Sequence, residues 1–326
     1  MIDVQLVAKI GIIGYRNHAL RLISLCDGNR NCKLEFIYHP SKHIGDQRIT
    51  NKLSDLFSCD AVIISSPNYT HYEYLDSLLK NSNCYIFCEK PPVTSIADIE
   101  KLEQLPDVMK NRIFFNFNYR FSNISEIIKN NMSSDNMGKL VLVQISNSHG
   151  LAFKKQYLDS WRSDGSANLH NILETVSIHH LDLLNFHFGK PNKITYLPSL
   201  MSKNGTSYDT CNIMIQYEGG MTVSIFNSYA TPLLNEVTMI GTNGVLSIRN
   251  NHLEVYSPRD TFDANGYFIA PQIIHSSSFD METDYQNSLR NSFDYFVSCV
   301  LEKKTMNMNH FNTSLETNRL ILQIHG

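Results

Sequence analysis

The chain has 326 residues, of which 42% are hydrophobic and 18% charged, with a formal net charge of −3. Those proportions describe a globular protein long enough for two cored domains, and the small negative charge excludes a general attraction to nucleic acid or an anionic membrane. The start, Met1-Ile2-Asp3-Val4-Gln5, lacks the basic and apolar regions of a secretory signal, and no apolar run is long enough to span a bilayer, so a cytoplasmic protein is expected. Seven cysteines (Cys26, Cys32, Cys59, Cys84, Cys88, Cys211 and Cys299) fall at irregular spacing without a CxxC pair. An odd, scattered set reads as reduced, buried thiols rather than a disulfide framework or a zinc site.

The first third alternates short apolar runs with amphipathic stretches. Strands are predicted over Leu6–Ile13, Cys32–Tyr38, Asp60–Ser65, Cys84–Cys88 and Arg112–Phe117. Helices are predicted through Leu20, Leu22 and Leu25, then over Ile49–Phe57, His71–Leu79 and Ser95–Leu105. Apolar strands alternating with helices imply a doubly wound parallel α/β sheet covered on both faces. The pattern changes near residue 121. A helix over Ile124–Met132, an alternating strand over Val141–Ser146 and a helix over His170–Phe188 come next. From Ile194 to Val255 several β-like runs are separated by Glu218-Gly219-Gly220 and Thr242-Asn243-Gly244. Helices over Asp284–Glu302 and Asn312–Ile324 close the chain. This second part reads as an α+β domain on an open, mainly antiparallel sheet, giving domains 1–121 and 122–326. An exposed sheet face predicts a homodimer or homotetramer.

After the first strand stands Gly14-Tyr15-Arg16-Asn17-His18-Ala19. A dinucleotide site needs glycines here so that backbone N–H groups can reach a pyrophosphate. Gly14 and Ala19 fit the first and third places, and Arg16 takes the second. Its guanidinium either binds a phosphate or fills the groove, and a plain strand–helix turn is the alternative to both. The second strand ends at Tyr38-His39-Pro40-Ser41-Lys42, with no carboxylate for ribose hydroxyls. His39, Ser41 and Lys42 suit a 2′-phosphate, which favours NADP over NAD.

Three further segments carry a family resemblance: DAVIISSPNYTH over Asp60–His71, YIFCEKPP over Tyr85–Pro92, and Trp161-Arg162 followed at a distance by Ser177-Ile178-His179-His180-Leu181-Asp182. In this order they resemble the glucose–fructose oxidoreductase / inositol dehydrogenase / MocA family over nearly the whole chain. The resemblance implies a Rossmann domain, then a substrate and oligomerisation domain, and oxidation or reduction of a carbinol carbon in a sugar, cyclitol or nucleotide-sugar. By position it places Ser65, Ser66, Pro67, Asn68 and His71 along the cofactor. It places Glu89 and Lys90 where nicotinamide meets substrate, with Asn118, Tyr119 and Arg120 bordering the same cleft.

Lys90 is the first catalytic candidate, because an ammonium at the carboxyl edge of a sheet can stabilise an alkoxide or, once burial lowers its pKa, accept a proton. A cis Lys90–Pro91 bond would aim it. His179 is the second: it matches the family's catalytic histidine, and Thr175, His179 and Asp182 share one helical face at i, i+4 and i+3 spacing. His180 points about 100° away, which argues against a metal site of His179, His180 and Asp182. Thr175 departs from the Asp usual in the family, and Gly165-Ser166-Ala167-Asn168 replaces a glycine-rich stretch. Arg162 is placed to bind a substrate carboxylate or phosphate, or to hold its own loop. The leading expectation is an NAD(P)-dependent dehydrogenase or reductase. A non-catalytic NAD(P)- and sugar-binding sensor, such as a galactose-pathway repressor of this family, is the alternative. Imine or tetrapyrrole reduction is a third, although Arg162 and Asn118 suit a hydroxylated ligand better.

Overall fold

The computed structural model describes residues 6–41 and 45–325. Six strands, β1 (Ala8–Ile13), β2 (Cys32–Tyr38), β3 (Ile49–Thr50), β4 (Ala61–Ile64), β5 (Tyr85–Glu89) and β6 (Ile113–Asn116), form an all-parallel sheet of order β3-β2-β1-β4-β5-β6. The order reverses between β1 and β4, so the carboxyl ends of these neighbours open a crevice. β4 is buried along its whole length, as a strand covered on both faces must be. Helices α1 (Asn17–Gly28), α2 (His71–Asn81), α3 (Ile96–Glu103) and the single turn α4 (Asp107–Lys110) lie between the strands. α1 buries Ala19, Leu22, Ile23 and Cys26, an i, i+3, i+4, i+7 stripe. The helix expected over Ile49–Phe57 is instead a short strand and a 3-10 turn, Leu53–Ser58. Ile49 and Thr50 pair with Ile37 and Tyr38, and the ladder outweighs a helical pattern too short to sustain itself.

The middle of the chain, Ser122–Asn287, forms its own compact unit. Its strands are β7 (Leu140–Ser148), β8 (Lys193–Ser199), β9 (Thr210–Gln216), β10 (Thr222–Ser228), β11 (Leu234–Gly241), β12 (Val245–Arg249), β13 (His252–Tyr256) and β14 (Ile273–Ser278). They form one eight-stranded sheet of order β14-β13-β12-β11-β7-β10-β9-β8. Only β7 and β10 pair in parallel, as expected of a mainly antiparallel sheet. Alternation sorts the side chains: Val143, Ile145, Ile213, Ile215, Val223, Ile225, Val237 and Met239 are buried on one face. The other face is crossed by the row Thr195, Met214, Ser224, Gln144, Thr238, Ser247, Glu254 and Ser276. β14 has no apolar alternation in sequence and is exposed throughout. The helices of this unit are α5 (Asn123–Asn131), the single turns α6 (Lys155–Leu158) and α7 (Gly165–Asn168), and α8 (Ile178–Phe188). A π-helical turn, Leu173–Ser177, runs into α8, so the stretch expected as one regular helix has a widened turn at its head.

Two helices end the chain, α9 (Met281–Leu301) and α10 (Met308–Leu322). From Ser288 onward the chain groups with the parallel-sheet unit, which corrects the expected second domain of 122–326. Phe87 and Phe114 of the sheet meet Phe296 of α9 at ring separations of 5.3 and 6.0 Å. Phe115, pointing to the opposite face, meets Phe311 of α10 at 5.6 Å. Helical periodicity reveals which face of each helix is buried but not which sheet receives it. All seven cysteines are buried free thiols. No helix among the described residues is long and apolar enough to cross a membrane.

Candidate active site

In the parallel-sheet unit the sequence-predicted residues gather at the carboxyl ends of the strands. Gly14 directly follows β1 with φ +118°, and a Cβ there would lie 2.4 Å from the Ser65 carbonyl oxygen. Only glycine permits both the backbone conformation and this approach. Gly14 N–H donates to the Tyr38 carbonyl at 3.1 Å and Ser65 N–H to that of Ile13 at 2.9 Å, so the loops after β1, β2 and β4 are stitched together. Tyr15 packs, half-buried, on the core beneath. α1 then starts at Asn17 with no side chain capping its first turn and no acidic residue in that turn. Its leading N–H groups therefore suit an anion such as a pyrophosphate. Arg16, the N-cap, is exposed. The residues present fit a dinucleotide.

At the end of β2, His39 Nδ1 accepts from Ser41 N–H at 3.2 Å, which places the ring proton on Nε2. The next acidic residue along the chain, Asp46, is taken up by Arg48 at 2.8 Å, and Arg48 also reaches Asp27. Lys42 lies outside the described residues. After β4, Ser66 Oγ and Thr70 Oγ1 are 2.7 Å apart, and Pro67 leads into a turn over Asn68–Thr70. His71 is fully buried, its Nδ1 2.8 Å from the Pro91 carbonyl oxygen and its Nε2 3.1 Å from that of Ser66. Burial pushes its pKa down against the pull of the two carbonyls. With both ring nitrogens facing backbone, His71 joins the loops after β4 and β5 rather than presenting a group to a ligand.

Glu89 ends β5 and is buried. Its Oε1 lies 2.8 Å from His18 Nε2 and accepts from Asn116 Nδ2 at 2.8 Å. Asn116 Oδ1 accepts from the Ser292 hydroxyl at 3.0 Å. Burial pushes the Glu89 carboxyl up, but the charge and hydrogen bond of His18, the Asn116 amide and the Lys90 charge outweigh it and leave the pKa lowered. The Glu89 charge in turn raises His18 against burial. Lys90 follows, half-buried, on a cis bond to Pro91. Asn118 is buried and donates to Ser288 Oγ at 2.7 Å, while Tyr119 is half-exposed. Arg120, expected beside the cleft, is buried instead. It donates to the His310 carbonyl at 2.9 Å and to Ser314 Oγ at 3.1 Å. The His18–Glu89–Asn116 set was not foreseen. An asparagine ending the apolar run Ile113–Phe115 at the carboxyl edge was the available signal.

The antiparallel-sheet unit holds a second cluster. Thr175 lies in the π turn and donates to the Asn171 carbonyl at 2.6 Å, so across its 2.7 Å contact with Tyr229 the phenol is the donor. Tyr229 is buried, stacked on His149 at 5.2 Å and edge-on to Tyr157 at 5.9 Å. Burial raises its pKa, while Thr175 and the Arg162 guanidinium beside it pull the other way. Arg162 also stacks over Trp161 at 4.9 Å. Glu174 accepts from Asn168 Nδ2 at 2.7 Å, away from Thr175. Gly165 is required because a Cβ would come within 2.5 Å of the Thr206 carbonyl oxygen. His179 is half-buried, whereas His180 and Asp182 are buried. Burial pushes His180 down to about 4, and Asn227 Nδ2 lies 3.4 Å from its Nδ1, so it stays neutral. Tyr229 escaped the sequence reading because it lies 54 residues from Thr175.

A crevice at the strand-order reversal, floored by a glycine turn and an uncapped helix start, defines a nucleotide-binding α/β protein. Comparison with known proteins sharpens the class. The profile described as an oxidoreductase family with an NAD-binding Rossmann fold matches residues 8–117, and that of the GFO/IDH/MocA C-terminal domain matches residues 126–247. The chain belongs to this Gfo/Idh/MocA family of oxidoreductases. Glucose-6-phosphate 3-dehydrogenase of Bacillus subtilis is 25% identical over 55% of the chain and 53% of the relative. The chain thus matches about half the length of that curated relative. Among solved structures, an Agrobacterium radiobacter oxidoreductase in complex with NAD+, L-tartaric acid and magnesium superposes with a TM-score of 0.76 at 18% identity, covering 96% of this chain and 94% of that one. A myo-inositol dehydrogenase from Corynebacterium glutamicum does so with a TM-score of 0.74 at 18% identity, over 97% and 95% of the two chains. These likenesses share the fold.

Proposed function

We propose that the protein is an NAD(P)-dependent dehydrogenase or reductase acting on a hydroxyl-bearing carbon of a sugar, cyclitol or nucleotide-sugar. The observation that carries this reading is the carboxyl-edge constellation: Gly14 pressed against Ser65, the uncapped start of α1, and the turn Glu89-Lys90-Pro91 on one sheet edge. Gly14, Tyr15, Arg16, Asn17 and His18 hold the pyrophosphate end of the dinucleotide, with Ser65, Ser66, Pro67 and Asn68 along it. His71 and Asn118 set the loops. His39 and Ser41, with no carboxylate beside them, favour NADP. The nicotinamide, when bound, supplies the hydride acceptor or donor. Lys90 bonds the substrate oxygen and stabilises its developing negative charge. His179 moves the hydroxyl proton. Tyr119, Thr175 and Arg162 orient the substrate, and an arginine beside a tyrosine phenol suits a phosphate or carboxylate on the sugar.

Nicotinamide fluorescence titrations with NADPH and NADH test the first step: binding is expected, tighter for NADPH, and no binding of either nucleotide rejects the reading. A panel of sugars, sugar phosphates and cyclitols then tests turnover. Binding without turnover on every member would indicate a sensor instead, the reading favoured by a Thr175 hydroxyl already engaged with Asn171 and Tyr229. The open sheet face, where Leu197 is 57% and Met214 46% exposed, supports a homodimer or homotetramer assembled across it.

A further inference from the structure

His18 occupies the first turn of α1, where the helix's own N–H groups disfavour a positive side chain. An isolated histidine there would release its proton readily. The Glu89 carboxylate 2.8 Å away reverses that preference. Lys90 from the same turn and Arg21 from α1 bear on His18 with the opposite sign, and His71 of α2 bears on Glu89. Glu89 cannot swing aside, because the Asn116 amide grips the same oxygen and Ser292 holds Asn116. The pair thus joins two pieces of chain 71 residues apart, the dinucleotide turn and the turn that carries Lys90.

Resting on the dinucleotide reading above, we propose that His18 is a positioning residue of that site: as the imidazolium it ties the head of α1 to Glu89, and loss of its proton weakens dinucleotide binding. Neutral His18 leaves Glu89 a buried carboxylate that has lost its imidazolium partner, close to where an anionic ligand must settle, with the Asn116 hydrogen bond and the Lys90 charge as its remaining support. The sign follows from the charges. Glu89 holds the imidazole above the ordinary histidine value, and a bound pyrophosphate, a further anion, raises it again. Proton uptake therefore accompanies binding. Affinity is greatest on the acid side and declines as pH rises from the free protein's value to the bound protein's value.

The test is a fluorescence titration of the full chain with NADPH and NADH from about pH 5.5 to 8.5, a window spanning histidine titration, for the wild type, His18→Gln and Glu89→Gln. The His18 ring is followed in parallel by NMR, with and without NADPH. Wild-type affinity is expected to fall about three- to tenfold across the window, one pKa unit corresponding to a factor of ten. His18→Gln, which keeps a donor toward Glu89 but no charge, should bind at the weaker level at every pH. The wild-type ring should titrate above the ordinary histidine value, rise further with NADPH, and fall in Glu89→Gln. A wild-type affinity indifferent to pH, or a ring titration unmoved by saturating NADPH, overturns the inference while leaving the cofactor reading intact. The absence of binding at any pH overturns both. The wild-type ring titration decides the matter even if His18→Gln does not fold.

Discussion

A lysine that stabilises an alkoxide acts through its charge at the moment of reaction, so its removal separates chemistry from binding. Lys90→Ala is expected to lower kcat by about 10²–10³-fold, the range for losing one group that stabilises a transition-state oxyanion, while nucleotide affinity changes little. Steady-state kinetics beside fluorescence titration checks this, and an unaltered kcat removes Lys90 from the chemistry. His180 makes a different prediction. Its folded-state value of about 4 lies below the ordinary histidine value, so its contribution to stability is complete above about pH 6.5 and is lost as pH falls toward 4. The loss is on the order of 3 kcal/mol. Unfolding temperatures measured across that window should fall for the wild type and fall less for His180→Gln. At this scale the sequence was legible where one residue type sits at one strand end: Gly14, Ser65, Glu89 and Lys90 all lie at the carboxyl edge. Partnerships were hidden, because Ser292 reaches Asn116 across 176 residues of chain and no local pattern records that closure.

At the scale of elements, the parallel sheet depends on helices drawn from far along the chain. Phe296 of α9 is fully buried against Phe87 and Phe114. Phe296→Ala should cost about 3–5 kcal/mol, the usual range for deleting a buried phenylalanine ring, and urea unfolding followed by circular dichroism measures it. A loss below about 1 kcal/mol would show that the site collapses without harm. Strand–helix alternation in the first third was readable because apolar runs and amphipathic stretches follow one another without ambiguity. Two elements were not. Ile49–Phe57 reads as helical by composition, yet Ile49 and Thr50 find a ladder on β2. The π turn over Leu173–Ser177 differs from an α turn by one residue per turn, which a hydrophobic pattern of period 3.6 does not resolve. It is the turn that presents Thr175 to Tyr229.

At the scale of the molecule, the open sheet face makes a prediction about assembly. Leu197 and Met214 stand exposed on β8 and β9. In light scattering, the wild type is expected to run as a dimer or tetramer and Leu197→Asp with Met214→Asp as a smaller species. A wild-type monomer at micromolar concentration removes the sheet face as an interface.

The parallel-sheet unit is assembled from two separated stretches of the polypeptide, one ending at Phe121 and the other beginning at Ser288. On a ribosome, every residue of the compact stretch Ser122–Asn287 has therefore been made before the second part of the parallel-sheet unit appears. The nucleotide-binding portion must wait, its half-made sheet lacking the cover that Phe296 and Phe311 later bring. Nascent chains arrested before α9 should accordingly expose Phe87, Phe114 and Phe115 to chaperones, and should acquire NADPH binding only after α10 has emerged.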